Sequence, residues 1–249
     1  MLLKTDLNCN IGSVRQNNED MILLAGELFR DKAQKMDFEP AENARMAAIV
    51  ADGMGGHNGG EFASEMATLL FDDFIKELPA GLNEAEIASQ LSQWCENTHR
   101  VIVNKSNESE EYEGMGTTFC GLLFYEKMTF ALNIGDSRLY RFRNGILKQI
   151  STDHSMRQLT GDNSLPSNQI YNSLGAGDSA FIDVKDLSEQ LFNDDLFLVC
   201  SDGLCDMISD EEIEQILANE PSADKLVEAA KQAGGKDNVS VLLLKIKEI

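Results

Sequence analysis

The most restrictive feature of this chain is a series of short, β-prone runs in its middle. Four runs rich in β-branched and aromatic residues follow one another, separated by the turn-like segments EKM, GD and NG. They are TTFCGLLFY, TFALNIG, SRLYRFRNG and ILKQIS. Such runs are too short for most helices, and Asn144-Gly145 is a strong signal for a tight hairpin. The spacing predicts an antiparallel meander in which strands adjacent in sequence pair.

Helical patterns lie in two blocks outside this region. The first block is GEFASEMATLLFDDFIKEL and NEAEIASQLSQWCENTHRVIVNKS, and the second is SDEEIEQILAN and SADKLVEAAKQAGG. Locally paired strands with helices in separate blocks predict an α+β fold rather than a doubly wound parallel sheet. No linker-like segment divides the 249 residues, so we expect one domain over residues 1–249. A polar, turn-rich segment at about residues 155–180 predicts an irregular flap on the surface.

Composition argues against several classes of partner. The chain has 42 Asp and Glu against 21 Lys and Arg, a formal net charge of −21 at pH 7. Such a field repels nucleic-acid backbones and anionic lipid, so we expect neither nucleic acid nor a membrane as partner. The five cysteines include no CxxC pair, which is untypical of a disulfide framework or a zinc site. With no long apolar run either, we expect a cytoplasmic protein.

Single carboxylates recur at the ends of apolar runs. Four share this context: Asp52 after AAIVA, Asp136 after FALNIG, Asp202 after LFLVCS, and Asp237 just before the run beginning at Val239. A carboxylate beside a buried strand loses solvation unless it is paired or bound to a cation. Each one alone is compatible with an ordinary turn. As a set they favour a site for a hard cation such as Mg²⁺ or Mn²⁺.

Two neighbouring segments extend this hypothesis. VRQNNED adds the acids Glu19 and Asp20, and five of the eight residues after Asp52 are glycine. Gly53 would let the backbone turn tightly, so that its carbonyl can approach a cation. The glycine stretch lacks the Lys-Ser/Thr of a P-loop, and Asn58 stands where GxGxxG needs its third glycine. Nucleotide binding is therefore disfavoured.

A second phosphate chemistry also matches the sequence. CNIGSVR, from Cys9 to Arg15, fits the C-x5-R loop of cysteine-dependent phosphatases. That chemistry needs a thiolate among backbone N–H groups at a strand-to-helix turn, and an acid for the leaving group. The preceding LKTDLN is a poor buried strand, and the sequence has no Asp-Pro pair to supply the acid. This is the weaker of the two hypotheses.

Seven blocks together closely resemble the metal-dependent protein Ser/Thr phosphatases of the PP2C (PPM) type, especially the bacterial branch. They are, in family order, VRQNNED, VADGMGGHNGGEFAS, GTTFCGLLF, NIGDSRLYRFRNG, DHS, LVCSDGL and GGKDNVSVLLL. The resemblance implies a β-sandwich of two antiparallel sheets flanked by helices, in α/β/β/α layers. It also implies hydrolysis of phosphoserine and phosphothreonine in proteins by a metal-activated bridging water, without a covalent intermediate.

The resemblance implies a centre of two Mg²⁺ or Mn²⁺ ions at one end of the sandwich. By motif position, Asp52 would bridge both ions and the Gly53 carbonyl would bind one of them. Asp202 and Asp237 would complete the other.

The remaining family positions are also acids or Arg. Glu19 and Asp20 would hold the second metal, directly or through water. Asp136 would share a weaker third ion with Asp202. Arg15 matches the phosphate-binding arginine of the family, whose planar fork can clamp two phosphate oxygens.

The source of the leaving-group proton is open. The residue after Asp52-Gly53 is Met54, where the eukaryotic branch of the family has histidine. His57 lies nearby and is a candidate donor, with a purely structural role for this histidine or donation by a metal-bound water as alternatives.

Two segments depart from the family pattern. The flap between His154 and Gly175 is shorter than in typical bacterial members, and Asp153 and His154 are interpreted as capping the helix that follows. The segment AGELFRDKAQKMDFEPAENA, residues 25–44, is longer than usual. It is either a solvated hairpin or loop, or a docking surface.

The expected partners are phosphorylated proteins, namely a Ser/Thr kinase and its targets, and we expect the chain to be a monomer. The alternative from another class is a catalytically silent regulator that uses this fold to bind phosphoproteins. The intact acids at the family positions argue against it.

Overall fold

The structure, a computed structural model, describes residues 1–55, 59–162, 164–166 and 168–248. Its strands are β1 (Leu2–Asn10), β2 (Met21–Leu24), β3 (Glu27–Phe29), β4 (Lys32–Phe38), β5 (Arg45–Ala51), β6 (Gly53–Met54), β7 (Gly116–Thr117), β8 (Phe119–Tyr125), β9 (Met128–Ile134), β10 (Arg138–Arg143), β11 (Ile146–Gln149), β12 (Asp183–Asp186), β13 (Leu196–Cys200) and β14 (Val239–Glu248). Its α-helices are α1 (Gly59–Glu77), α2 (Glu84–Ser106), α3 (Met156–Thr160), α4 (Asp202–Cys205), α5 (Asp210–Asn219) and α6 (Ala223–Gln232). Short 3₁₀ helices cover Glu110–Tyr112 and Ser188–Gln190.

Within these ranges the strands form two six-stranded antiparallel sheets and one two-stranded ribbon. The first sheet has the order β11-β10-β13-β14-β1-β4, and the second has the order β12-β9-β8-β5-β2-β3. The ribbon pairs β6 with β7, with Gly53 opposite Thr117. Because neighbouring strands are antiparallel, their ends alternate at each edge of the sandwich, and the loops that carry the acids meet at one end.

Among the described residues, three apolar layers hold the fold together. They arise because successive side chains along a strand point to opposite faces of the sheet. In β5, Ala48 and Val50 belong to the core between the two sheets, whereas Ala47 and Ile49 face the core under α1 and α2. A third core joins the outer face of the first sheet to α4, α5 and α6. The order helix, sheet, sheet, helix confirms the predicted α/β/β/α layers. None of the helices in the described ranges combines the length and apolar character needed to cross a membrane.

The predicted meander is correct within each sheet and wrong between them. β8 pairs with β9, and β10 pairs with β11 around Asn144 and Gly145, both at positive φ of 53° and 81°. β9 and β10, however, lie in different sheets, and the chain crosses between them over residues 135–137. Strand periodicity specifies which side chains are buried, but not which sheet a strand joins.

The long segment over residues 25–44 supplies an edge to each sheet. β3 completes a hairpin with β2, and β4 pairs with β1 on the other sheet. Most of β4 is exposed, with Lys32 and Lys35 on it. Charged side chains on an edge strand discourage pairing with another chain. The segment thus contains a hairpin strand, β3, but it is not simply solvated, since Phe29 is buried. β4 was not predicted, and the docking surface stays a hypothesis.

The flap begins with a helix, but its cap is not the predicted one. Ser155 is the N-cap of α3, and its side chain accepts a hydrogen bond from the backbone N–H of Gln158. Asp153 instead binds Arg138, and His154 is 2% exposed. The capping prediction for Asp153 and His154 is wrong, because a serine immediately follows them and takes the position.

Candidate metal centre

The predicted site residues converge on one cavity of about 230 Å³ at an end of the sandwich. The predicted residues that line it are Arg15, Glu19, Asp52, Gly53, Asp136, Asp202 and Asp237. Thr118 also lines it, as do Asn168 and Ile170 from the flap. Asp20 lies behind this wall, and His57 falls outside the described residues. Residues up to 222 positions apart are thus brought together, for example Arg15 with Asp237.

Asp20 is the most enclosed acid of the group. Its side chain is fully buried, and Oδ2 accepts a hydrogen bond from Ser201 Oγ at 2.8 Å. Oδ1 is buried without a hydrogen-bond partner. Burial is the largest cause, and the charges of Asp202 and Asp237 contribute, in raising the pKa of this carboxyl from 3.8 to about 7. An orphaned buried oxygen of this kind is a place where a cation would fit.

The half-buried acids in front of Asp20 also have raised pKa values, because they too are shielded from solvent and lie near other carboxylates. Burial first, and then the charges of neighbouring carboxylates, raise the pKa of Asp136 to about 8 and that of Asp202 to about 6. The pKa of Asp52 lies well above its usual range, through burial first and then the charges of Asp20 and Asp202. Clustered carboxylates with oxygen-only donors match the preference of Mg²⁺ and Mn²⁺.

The acids line the same cavity, but their carboxylates do not converge on a single point. In the ranges that the structure describes, no three His, Cys, Asp or Glu side chains already form a set that could hold a metal ion. Instead, Arg15 Nη2 pairs with Asp237 Oδ2 at 2.6 Å, with about half of each side chain shielded from solvent. That hydrogen bond is the largest cause of a raised Arg15 pKa. Mutual repulsion opposes closer approach of the carboxylates until a divalent charge is present.

Backbone contacts hold Asp52 in place. Its N–H donates to Thr118 Oγ1 at 2.9 Å, and its carbonyl accepts from the Thr118 N–H and the Thr117 hydroxyl, each at 2.9 Å. Thr118 Oγ1 also lies 2.7 Å from Ser137 Oγ, next to Asp136. The turns that carry two of the acids are therefore joined by a chain of buried hydroxyls.

Gly53 is required at its position for a reason that the sequence did not reveal. A Cβ there would lie 2.1 Å from the Gly60 carbonyl oxygen and 2.5 Å from the Glu19 carbonyl oxygen. No side chain fits between the start of α1 and the Glu19 backbone. The glycine thus permits close backbone packing in addition to any access of its own carbonyl to a cation.

Three side chains hold the segment that carries Glu19 and Asp20 by hydrogen bonds to its backbone. Asn238 Oδ1 accepts from the Glu19 N–H at 2.8 Å, and Ser64 Oγ donates to the Glu19 carbonyl at 2.6 Å. Arg30 Nε donates to the Asp20 carbonyl at 3.1 Å. Arg30 belongs to the long segment over residues 25–44, which gives that segment a structural role beside the site.

Sequence reasoning missed these supporting residues. Asn238 also donates to the carbonyls of Ile11 and Asn17, at 3.0 and 2.9 Å, and so fastens the loop that carries Arg15. The available signal was position, because Asn238 follows one acid and Ser201 precedes another. Small polar residues adjoining the acids are candidates for holding them.

The geometry contradicts the C-x5-R hypothesis. Cys9 is 1% exposed and lies within β1 rather than at a strand-to-helix turn. Burial and the nearby charge of Asp20 raise the pKa of its thiol to about 12. Arg15 is turned to Asp237, as described above. A neutral buried thiol is not a nucleophile.

Comparison with known proteins identifies the family. Residues 24–243 match the family model of protein phosphatase 2C. Serine/threonine phosphatase stp of Listeria monocytogenes is 34% identical over 247 residues, which cover 94% of this chain and 92% of that protein. The S. agalactiae serine/threonine phosphatase structure has a TM-score of 0.81 at 29% identity, covering 98% of this chain and 100% of that chain. The catalytic domain of the serine threonine protein phosphatase PstP, in complex with two manganese ions, has a TM-score of 0.74 at 28% identity and covers 100% of both chains. This chain belongs to the protein phosphatase 2C family.

Proposed function

We propose that this chain hydrolyses phosphoserine and phosphothreonine in proteins, in a reaction that needs two Mg²⁺ or Mn²⁺ ions. The observation that carries the proposal is the cavity at the end of the sandwich, where acids with raised pKa values surround space open to solvent. The names of the relatives, which are Ser/Thr phosphatases, and the two manganese ions of a neighbour support it.

The proposed ligands are oxygen atoms only. Asp52, the Gly53 carbonyl, Glu19, Asp20, Asp202 and Asp237 would hold the two ions, with Asp52 as the ligand that both would share. Asp136 would contribute to a weaker third site with Asp202. The orphaned Oδ1 of Asp20 supports this arrangement, since it lacks any other partner. The chemistry supplied by such ions is Lewis acidity, which lowers the pKa of a water between them and offsets phosphate charge.

Arg15 is the residue that we propose binds the phosphate. Among the described residues that line the cavity it is the cationic one, and about half of its side chain is exposed. Its guanidinium pairs with Asp237, so a phosphate must compete with that carboxylate for the planar fork. Asp237 is also a proposed metal ligand, so its carboxylate would hold a cation in place of the Arg15 guanidinium. Arg15 would then turn from the acid to the substrate, which links cation binding to substrate binding.

The fitting substrates are phosphoproteins produced by a Ser/Thr kinase, since the ester bond that such a kinase forms is the bond proposed to be cleaved here. The silent-regulator alternative needs a site that has lost a ligand. All the family acids are present, and the described ones lie at or directly behind one cavity. A covalent route through Cys9 is disfavoured by the burial and neutrality of its thiol.

Hydrolysis of p-nitrophenyl phosphate and of a phosphothreonine peptide tests the proposal. We expect turnover with Mn²⁺, loss of turnover with EDTA, and a decrease of more than about 100-fold in Asp202→Ala. Cys9→Ser is the matched control, with activity expected within about twofold of wild type because a neutral thiol takes no part. Activity that survives EDTA but disappears in Cys9→Ser would refute the metal mechanism. Folded protein that binds Mn²⁺ but never turns over would favour the silent regulator.

A further inference from the structure

His154, in the DHS block, is a buried histidine that the proposed chemistry does not use. It is 2% exposed, and it does not cap α3. Its ring and backbone instead contact two segments that face the cavity. One is the turn that precedes Asp136, and the other is the flap base, which we define as residues 168–182.

His154 binds both polar groups of Gly135, the residue before Asp136. The Gly135 N–H donates to His154 Nδ1 at 3.1 Å, and the His154 N–H donates to the Gly135 carbonyl at 2.9 Å. Gly135 has a φ of +99°, and a Cβ there would lie 2.6 Å from Thr118 Cγ2. The peptide that carries Asp136 therefore has little freedom, and His154 sets its orientation.

The same histidine holds the flap base. The Tyr171 N–H donates to the His154 carbonyl at 2.9 Å, and the ring of Phe181 lies 4.8 Å from the imidazole, centroid to centroid. Ile170, the neighbour of Tyr171, lines the cavity together with Asp136. The side chain of His154 therefore contacts both the acid turn, at Gly135, and the flap base, at Phe181.

The surroundings fix the tautomer of the imidazole. Asn172 is oriented by Phe181, because its Nδ2 donates to the Phe181 carbonyl at 2.8 Å and its Oδ1 accepts from the Phe181 N–H at 3.1 Å. Nδ2 of Asn172 then faces His154 Nδ1 at 2.7 Å. Nδ1 is therefore an acceptor, and Nε2 carries the proton toward Asp183 Oδ2 at 3.1 Å. With both edges engaged, the ring cannot rotate without losing these bonds.

We propose that His154 is a positioning residue that holds the Asp136 turn and the flap base as one unit. The proposal rests on the proposed phosphatase function. Loss of the ring nitrogens would leave the Gly135 N–H without its side-chain acceptor, while the backbone bond to the Gly135 carbonyl stays. The turn would then be held less firmly, so Asp136 would bind a cation less well. It would also remove the contact between the ring and Asn172, so the flap base and its cavity-lining residue Ile170 would be positioned less firmly for the substrate. The Asp52 carbonyl also accepts hydrogen bonds from the Thr117 hydroxyl and the Thr118 N–H, so cation binding at Asp52 would change less.

Two variants of the full chain separate this role from simple packing. His154→Phe keeps a ring but removes both nitrogens, whereas His154→Asn keeps an acceptor at the position of Nδ1. Mn²⁺ binding by titration calorimetry gives a readout that does not depend on turnover. We expect His154→Phe to weaken the weakest Mn²⁺ step about tenfold and to raise KM several-fold, and His154→Asn to recover most of both.

His99 provides a matched control. It is also buried, at 4% exposed, and its Nδ1 accepts the Gly175 N–H at 3.2 Å, away from the Asp136 turn. His99→Phe should lower the thermal midpoint as His154→Phe does, yet leave the weakest Mn²⁺ step unchanged. This comparison distinguishes a defect at the acid turn from a general loss of stability.

Two results would overturn the proposal. One is folded His154→Phe with the wild-type Mn²⁺ isotherm and KM, and the other is His154→Asn as defective as His154→Phe. If His154→Phe does not fold, Asn172→Ser removes the flap side of the same contact, and an unchanged KM there overturns the proposal. Wild-type protein that binds Mn²⁺ but hydrolyses no phosphoester would refute the proposed function instead, and the Mn²⁺ comparison would still decide the role of His154.

Discussion

Replacing Asp20 by asparagine separates the cost of burying this carboxylate from its proposed use as a ligand. Burial raises its pKa from 3.8 to about 7. In the cation-free protein the folded state therefore keeps a proton that the unfolded chain loses above about pH 4. Stability falls as pH rises from about 4 to 7 and then levels off, because the folded state binds more protons in that window. The full effect at pH 8 is roughly 4 kcal/mol, of which roughly 2 kcal/mol develops between pH 5 and pH 7.

Asparagine cannot ionise, so the Asp20→Asn variant escapes this penalty. Its Oδ1 can still accept from Ser201, but its Nδ2 replaces an oxygen that has no partner. An unsatisfied buried donor costs about 1–3 kcal/mol of stability, which offsets part of this benefit. In EDTA at pH 8 we expect the variant to be about 1–3 kcal/mol more stable than wild type, and no more stable at pH 5. Mn²⁺ should stabilise wild type and reverse the order at pH 8.

Urea unfolding followed through the fluorescence of Trp94, the single tryptophan, measures these free energies. Asp195→Asn is the matched control, since Asp195 is also fully buried but pairs with Arg143, Nη2 to Oδ2, at 2.6 Å. Removal of one partner should destabilise the protein at both pH values. Wild-type stability in EDTA that does not fall between pH 5 and pH 8, together with an Asp20→Asn variant less stable than wild type at pH 8, would show that burial of the Asp20 carboxylate carries no such cost.

Three further substitutions test other contacts of the site. Gly53→Ala should lower the free energy of unfolding by more than about 3 kcal/mol, because its Cβ would lie 2.1 Å from a carbonyl oxygen of α1. Gly81→Ala, at φ +75° with no atom within 4 Å, should lower it by only about 1 kcal/mol, and equal urea midpoints would contradict this difference. Thr118→Val leaves the Asp52 N–H without its acceptor and should weaken Mn²⁺ binding about tenfold in calorimetry, whereas Thr118→Ser should not. Unchanged affinity in Thr118→Val would show that this contact does not position the acid. Arg15→Lys keeps the charge but not the planar fork, so KM for p-nitrophenyl phosphate should rise several-fold with a smaller change in kcat. An unchanged KM would exclude Arg15 as the phosphate contact.

Local features of the fold were predictable because their causes are local. Asn144-Gly145 forms its turn since both residues tolerate positive φ, and the capping boxes of α2 and α5 form between residues three positions apart. The change of sheet at residues 135–137 and the pairing of β4 with β1 depend on which strands meet in space. No short window of sequence carries that information.

In the candidate site, too, some residues could be predicted from the sequence and others could not. The acids could be predicted because a carboxylate at the end of an apolar run is conspicuous in sequence. The residues that hold them could not, since their partners are remote: Asn238 binds Glu19 across 219 positions, and Ser201 binds Asp20 across 181. A buried asparagine or serine looks the same in sequence whether it fills a turn or fixes a ligand.

The residues that indicated a function are therefore those that lower the stability of the folded protein. Asp20 is buried with an unpartnered oxygen, and Asp52 stands among other carboxylates, although apolar or paired residues would stabilise this fold better. Arg15 relieves only part of the conflict, because it neutralises Asp237 and leaves the deeper acids unpaired. A divalent cation would relieve the rest and free Arg15 at the same time. The same electrostatic imbalance would thus favour cation binding and make Arg15 available for the proposed phosphate contact.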